Sequence, residues 1–412
     1  MPKVERLLRD CTLGRASACS SRKLIGLKRQ SHYKRCLREL SKYGITPVKS
    51  IPDSRVICCH VDKRRISTIQ SLTKHPFVKY VEPDFKMRAH PITTSLSRPA
   101  KAVGRTRMLS APSGARKDHG SKPWLKNFVH LPSPKTISLV NVTWNIRRVQ
   151  APLVWPITRG SSKKIGIIDT GIAKHPDLVV SGGINTINGS SFLDDNGHGT
   201  HVAGIAAARG TKGQIPGAAP RAALYAIKAL NANGEGFVSD IIKGINWCIA
   251  RKISVINMSL GLEGEKSAAL REAVKRAHRK GIVIVASAGN SGINSGGIDE
   301  PASFPETIAV AASTISNRIA PYSSRGRGVS ISAPGNNIRS TWLRNGYKIL
   351  SGTSMASPHV AGGAALLLAV EPNLKPTQVR SRLQSTASRL TGYGPRSQGA
   401  GLLQIASYCV EE

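Results

Sequence analysis

The chain has 412 residues, 40% of them hydrophobic and 5% aromatic, with 60 Lys and Arg against 23 Asp and Glu and a formal net charge of +37. That length allows a large core and more than one domain. A field of this sign favours acidic partners, but no basic run is interleaved with stacking aromatics and no helix-turn-helix or zinc-finger spacing occurs, so a specific nucleic-acid reader is not expected. No run of about 18 apolar residues reads as a membrane span. Residues 1–27 carry Arg6, Arg9, Arg15, Arg22 and Lys23 without the apolar core of a secretory signal. The expectation is a cytoplasmic protein, with non-standard export as the alternative. Cysteines 11, 19, 36, 58, 59, 248 and 409 are odd in number and include an adjacent pair. They read as free thiols.

Residues 1–20 read as a basic tail. From 21 to 90 short elements follow in the order βαββαβ: a strand at 23–27, a helix at 32–43 and a hairpin of 45–51 with 55–61. A helix at 64–74 and a strand at 77–81 complete the set. That order predicts a small α+β, ferredoxin-like domain. Residues 91–139 are rich in Ser, Pro, Lys, Arg and Gly without periodicity and read as a basic linker. From 140 to 412 short runs of branched residues alternate with helical ones. Residues 165–168, 223–227, 255–258 and 282–286 are such runs, and helices are expected over 240–250 and 268–280. The pattern predicts an α/β domain, a parallel sheet with helices on both faces, whose site forms at the carboxyl ends of strands.

Three motifs carry chemistry. Asp169-Thr170-Gly171 follows a strand. His198 sits in Asn196-Gly197-His198-Gly199-Thr200-His201. Ser354 sits in Gly352-Thr353-Ser354-Met355-Ala356-Ser357-Pro358-His359, before an apolar run, 361–370, that reads as a buried helix. A serine at a helix start lies where the helix dipole stabilises developing negative charge. Asp, His, Ser is one of the chain orders of a serine-protease triad. Taken singly, Asp169 is as readily a helix cap. His198 and His201 resemble a metal pair, but no Glu lies between them.

With Ser259-Leu260-Gly261 and Ser287-Ala288-Gly289-Asn290-Ser291-Gly292, these motifs resemble the subtilisin-family serine proteases over residues 142–405. The resemblance implies a serine endopeptidase: Ser354 as nucleophile, His198 as base, Asp169 as its partner and Asn290 as oxyanion donor, with His201 structural. It implies that Gly234, Glu235 and Gly236 on one side, and Ser259, Leu260 and Gly261 on the other, pair with an extended polypeptide substrate. Ala288 and Gly289 would wall the primary pocket. Asp299 would stand at its floor and select Lys or Arg, or else cap a surface turn beside Glu300. Residues 77–84, Phe-Val-Lys-Tyr-Val-Glu-Pro-Asp, resemble the end of the family's inhibitory propeptide, which implies a self-processed zymogen inhibited in cis. No cofactor is required for the chemistry, and a monomer is expected. Calcium is expected to be structural and weak: Asp177 is present, but Thr211 stands where an asparagine is usual, and Arg209 and Lys212 flank it. A second weak site would use the carbonyls of Ala302, Phe304 and Thr307. The alternative function is an inactive scaffold that binds nucleic acid or anionic polymers.

Overall fold

The computed structural model describes residues 2–90, 141–211, 214–294 and 296–408; the linker expected over 91–139 lies outside them. The larger unit is built on a seven-stranded sheet in the order Val329–Pro334, Thr307–Ser313, Val283–Ser287, Val255–Met258, Lys164–Asp169, Ala223–Lys228, Val180–Asn185. Every neighbouring pair is parallel. Such strands are covered on both faces, which is why they are continuous apolar runs and not alternating ones. Helices His198–Ala207 and Thr353–Val370 supply one core, and helices Val238–Ala250 and Ala268–Arg279 the other.

The helix bearing Ser354 begins at Thr353, eight residues before the apolar run that announced it. Pro358 lies inside it. Proline has no N–H to bond the carbonyl four residues back, and that carbonyl, of Ser354, instead accepts from the Ser259 hydroxyl at 3.0 Å. The helix is long and apolar enough to cross a membrane, but 89% of it is buried within the fold, so its apolar surface belongs to the core.

The amino-terminal unit is built on an antiparallel sheet. Strand Ser20–Leu27 lies between Val56–Asp62 and Val78–Pro83, and Lys49–Ile51 pairs with Val56–Asp62, all antiparallel. Side chains alternate across this sheet. Ile25, Ile57 and Cys59 face its own helices, while Leu24, Val56 and Cys58 enter the core beneath helices Val238–Ala250 and Ala268–Arg279. The expected tail over residues 1–20 is corrected. Val4–Cys11 is a helix whose Val4, Leu7, Leu8 and Cys11 are buried, and Thr12–Leu13 pairs with Val61 and His60. The spacing i, i+3, i+4, i+7 is one helix face, and it stood among arginines. All six cysteines in the described residues are free thiols.

Two carboxylates join the units. Asp84 accepts from the Ser239 N–H and hydroxyl, both at 2.8 Å, at the start of helix Val238–Ala250, and from the Arg22 guanidinium at 2.6 Å. Glu82 accepts from the Ser267 hydroxyl at 2.6 Å and from the Ala268 and Ala269 N–H groups at 3.0 and 3.2 Å, at the start of helix Ala268–Arg279. Helix starts carry unpaired N–H groups and a positive partial charge, so an anion is favoured at both. Replacing Asp84 by Ala strands a guanidinium and a helix-terminal N–H, and should weaken docking of the two units by about 2–5 kcal/mol. In a full-length Ser354→Ala chain, amide exchange over residues 78–90 should accelerate; unchanged protection would show that docking does not need this contact.

Candidate active site

Three strand ends supply the site. Asp169 closes strand Lys164–Asp169, Ser259 follows Val255–Met258, and Asn290 lies three residues beyond Val283–Ser287. His198 opens helix His198–Ala207, and Ser354 is the second residue of helix Thr353–Val370. The fold thus brings the four residues singled out from the sequence to one edge of the sheet.

Asp169 and His198 are both fully buried, with His198 Nδ1 2.7 Å from Asp169 Oδ1. The same oxygen accepts from the Thr170 N–H at 2.7 Å. A carboxylate partner fixes the proton on Nδ1 and leaves a lone pair on Nε2. Burial alone pulls the His198 pKa down, but the charge and hydrogen bond of Asp169 outweigh it, and the net direction is up. His198 Nε2 has no hydrogen-bond partner among the described residues. The Ser354 hydroxyl donates instead to the Ser259 carbonyl, at 3.1 Å. A rotation of that hydroxyl is needed to bring its proton to the imidazole.

Asn290 is held by its oxygen. Oδ1 accepts from the N–H and from the hydroxyl of Thr353, each at 2.9 Å. Fixing the oxygen commits the amide nitrogen, the donor, to the other side of the group. Thr353 was not singled out from the sequence; its only signal was its place beside Ser354.

The two expected substrate edges flank a segment of the same chain. Strand Lys86–Ala89 pairs antiparallel with Glu235–Phe237, Met87 opposite Gly236, and antiparallel with Leu260–Gly261, Arg88 opposite Gly261 and Ala89 opposite Leu260. The Ala89 N–H donates to the Gly234 carbonyl at 2.9 Å. Met87 is fully buried. His90, next in the chain, bonds to the Asp299 carboxylate through Nε2 at 2.8 Å and to the Ser287 hydroxyl through Nδ1 at 2.7 Å. His90, Gly261, Asn290 and Asp299 line one cavity of ≈ 390 Å³. A Cβ on Gly261 would run into the His90 imidazole and then the Asp299 carboxylate, and one on Gly289, whose φ is +110°, into that carboxylate and the Ser324 hydroxyl. Ala288 is buried, and its carbonyl accepts from the Asp299 N–H at 3.1 Å. Of the two readings of Asp299, the surface-turn cap is not what is found. Glu300 does cap, accepting from the Ser267 N–H at 2.8 Å.

The cation sites fare differently. Asp177 Oδ1 accepts from the Gly210 N–H at 2.7 Å, and burial pushes the carboxyl pKa up. Among the described residues no three His, Cys, Asp or Glu side chains cluster as metal ligands. The second candidate is corrected: the Thr307 carbonyl accepts from the Arg380 guanidinium, so a protein cation already occupies that oxygen.

Together these features define a serine hydrolase site at a parallel-sheet edge, with a peptide strand in its groove. The family model for subtilases matches residues 160–401. Subtilisin DY of Bacillus licheniformis is 49% identical over 237 residues, 56% of this chain and 86% of that protein. Subtilisin Savinase of Lederbergia lenta is 44% identical over 252 residues, covering 61% and 93%. The alkaline protease of Alkalihalobacillus alcalophilus is 42% identical over 266 residues, covering 64% and 69%. The chain belongs to the subtilase family and is a serine endopeptidase that acts on polypeptides.

His201, the other histidine of its motif, is buried, and its Nε2 donates to the carbonyls of Ile338 and Lys348 at 3.1 and 3.0 Å. Burial pushes its pKa down to about 3, so it stays neutral and ties the helix to the hairpin of Ile338–Thr341 and Tyr347–Leu350. His201→Ala should cost about 1–3 kcal/mol of stability by removing the donor to one buried and one part-buried carbonyl, with turnover of the folded fraction retained. Denaturant titration and active-site counting check this; a stable variant without activity would contradict it.

Proposed function

We propose that Ser354, His198, Asp169 and Asn290 carry the endopeptidase reaction, and that residues 21–90 act in cis as its propeptide. His198 Nε2 takes the proton of Ser354 as the hydroxyl oxygen attacks the peptide carbonyl. Asp169 holds the imidazole tautomer and favours its charged form. The Asn290 amide and the Ser354 N–H donate to the oxyanion; the loss of such a donor is worth about 10²–10³ in turnover. The C–N bond then breaks, and His198 returns the proton to the leaving amine. Water repeats the sequence on the acyl-enzyme. These steps use the chain's own side chains and need no cofactor.

The single observation that carries the reading is the buried 2.7 Å Asp169–His198 bond with Nε2 unpaired. The alternative, an inactive scaffold for anionic polymers, has no support from the comparisons. Gly234, Glu235, Gly236, Ser259, Leu260 and Gly261 bind substrate by strand addition, which strand Lys86–Ala89 already exemplifies. The enzyme works as a monomer.

A fluorophosphonate should label Ser354 once the amino-terminal unit is removed. Ser354→Ala should abolish labelling and self-processing and lower turnover by about 10⁶, the scale of the equivalent loss in subtilisin. Maturation of the variant without added protease would sink the self-processing reading.

Asp177 holds calcium weakly at most. A strong site at 100 times its Kd would add about 2.7 kcal/mol. Chelation should therefore move the thermal midpoint only slightly, and a collapse would show that a strong site exists.

Asp299 is proposed to select basic residues at the primary pocket, supported by its contact with His90. Charge-assisted bonding there sets a preference of about 1–3 kcal/mol. In a peptide library, cleavage after Lys, Arg or His should dominate, and Asp299→Asn should flatten it. Equal cutting after Leu and Phe would refute the assignment.

A further inference from the structure

We propose that His90 is held in catalytic register and that the bond after it, to the proline next in sequence, resists cleavage, so that the docked segment binds as a substrate and the amino-terminal unit is not released by a cut at that bond. This rests on the reading of Ser354 as nucleophile and deepens it. Three contacts fix the register independently: Met87 opposite Gly236, Arg88 opposite Gly261, and His90 between Asp299 and Ser287. With residue 90 in the pocket that Asn290 also lines, its carbonyl is the one presented to Ser354, and the next residue is proline.

Cleavage there would form the Ser354 Oγ–C bond and break the bond from His90 carbon to Pro91 nitrogen. The proton of Ser354 would pass through His198 Nε2 to that nitrogen. Proline nitrogen carries a ring carbon where every other residue carries hydrogen. The atom that must approach a fully buried imidazole is therefore the crowded one. Binding meets no such obstacle. Proline biases the residue before it toward extended backbone, the conformation that continues strand Lys86–Ala89. The same residue favours the bound strand and opposes the cut.

The test uses the full-length chain, with intact mass and amino-terminal sequencing over time. The wild type should yield no chain beginning at Pro91, whereas Pro91→Ala should release a fragment ending at His90 at least 100-fold faster, and the double variant with Ser354→Ala should release none. A second measurement adds peptides of residues 85–93, with the natural proline or with the Pro91→Ala change, to the processed enzyme. The substituted peptide should be cut after histidine; the natural peptide should stay whole and compete with a reporter substrate. A wild-type product beginning at Pro91 overturns the proposal. So does a Pro91→Ala chain and peptide left intact while Ser354 of the processed enzyme labels. Failure of Ser354 to label in the processed enzyme would instead overturn the catalytic reading beneath it.

Discussion

The site is organised by one hydrogen bond, from the buried His198 imidazole to the buried Asp169 carboxylate. A charge in such a place is costly unless it is paired and hydrogen-bonded. Here the carboxylate also takes the Thr170 N–H, and the backbone around it is tied: the Ala229 and Leu230 N–H groups donate to the Asp169 carbonyl. Nearby, the buried Lys228 ammonium bonds the Thr170 and Leu230 carbonyls and Asp195. These contacts span neighbouring parallel strands, so the order of the sheet places the carboxylate. The helix that starts at His198 then has one register in which its first side chain meets it.

The surplus positive charge has a partial structural account. Across the contact between the two units the amino-terminal side supplies the cation each time. Lys49 meets Asp240, Lys79 meets Glu272, and Lys86 and Arg88 both meet Glu235. Exposed pairs of this kind contribute little each, but they orient two surfaces of opposite sign. Lys49 is the most buried of these cations, and burial pulls its pKa down to about 8. The apolar face of Leu24, Val56 and Cys58 and the two helix starts capped by Glu82 and Asp84 make up the rest of the contact.

Much of the site was legible because its signals are local. Asp169, His198, Asn290 and Ser354 each lie in a short motif next to a strand end or helix start, and the parallel sheet follows from the continuous apolar runs. What was not legible depends on distant partners. His90 meets Asp299 209 positions away, and nothing near His90 in the sequence announces it. The roles of Glu82 and Asp84 were closer to view: two acids spaced by two, at the end of strand Val78–Pro83, in a basic domain. The helix Val4–Cys11 was hidden because its arginines dominated the reading, although its apolar spacing is regular. The start of the Ser354 helix was missed because Pro358 argues against a helix there until Ser259 is seen to take up the freed carbonyl.

The reading of His198 as the base requires that Asp169 keep a fully buried imidazole able to take a proton. Titration of the His198 ring by NMR, in the full-length chain and in its Asp169→Asn variant, tests it most directly. A wild-type midpoint above the ordinary histidine value of about 6.5 is expected, because the carboxylate outweighs burial, and a lower midpoint in the variant, where only the charge of Asp194 still opposes burial. A wild-type midpoint already depressed, or one that the Asn substitution leaves in place, would contradict it.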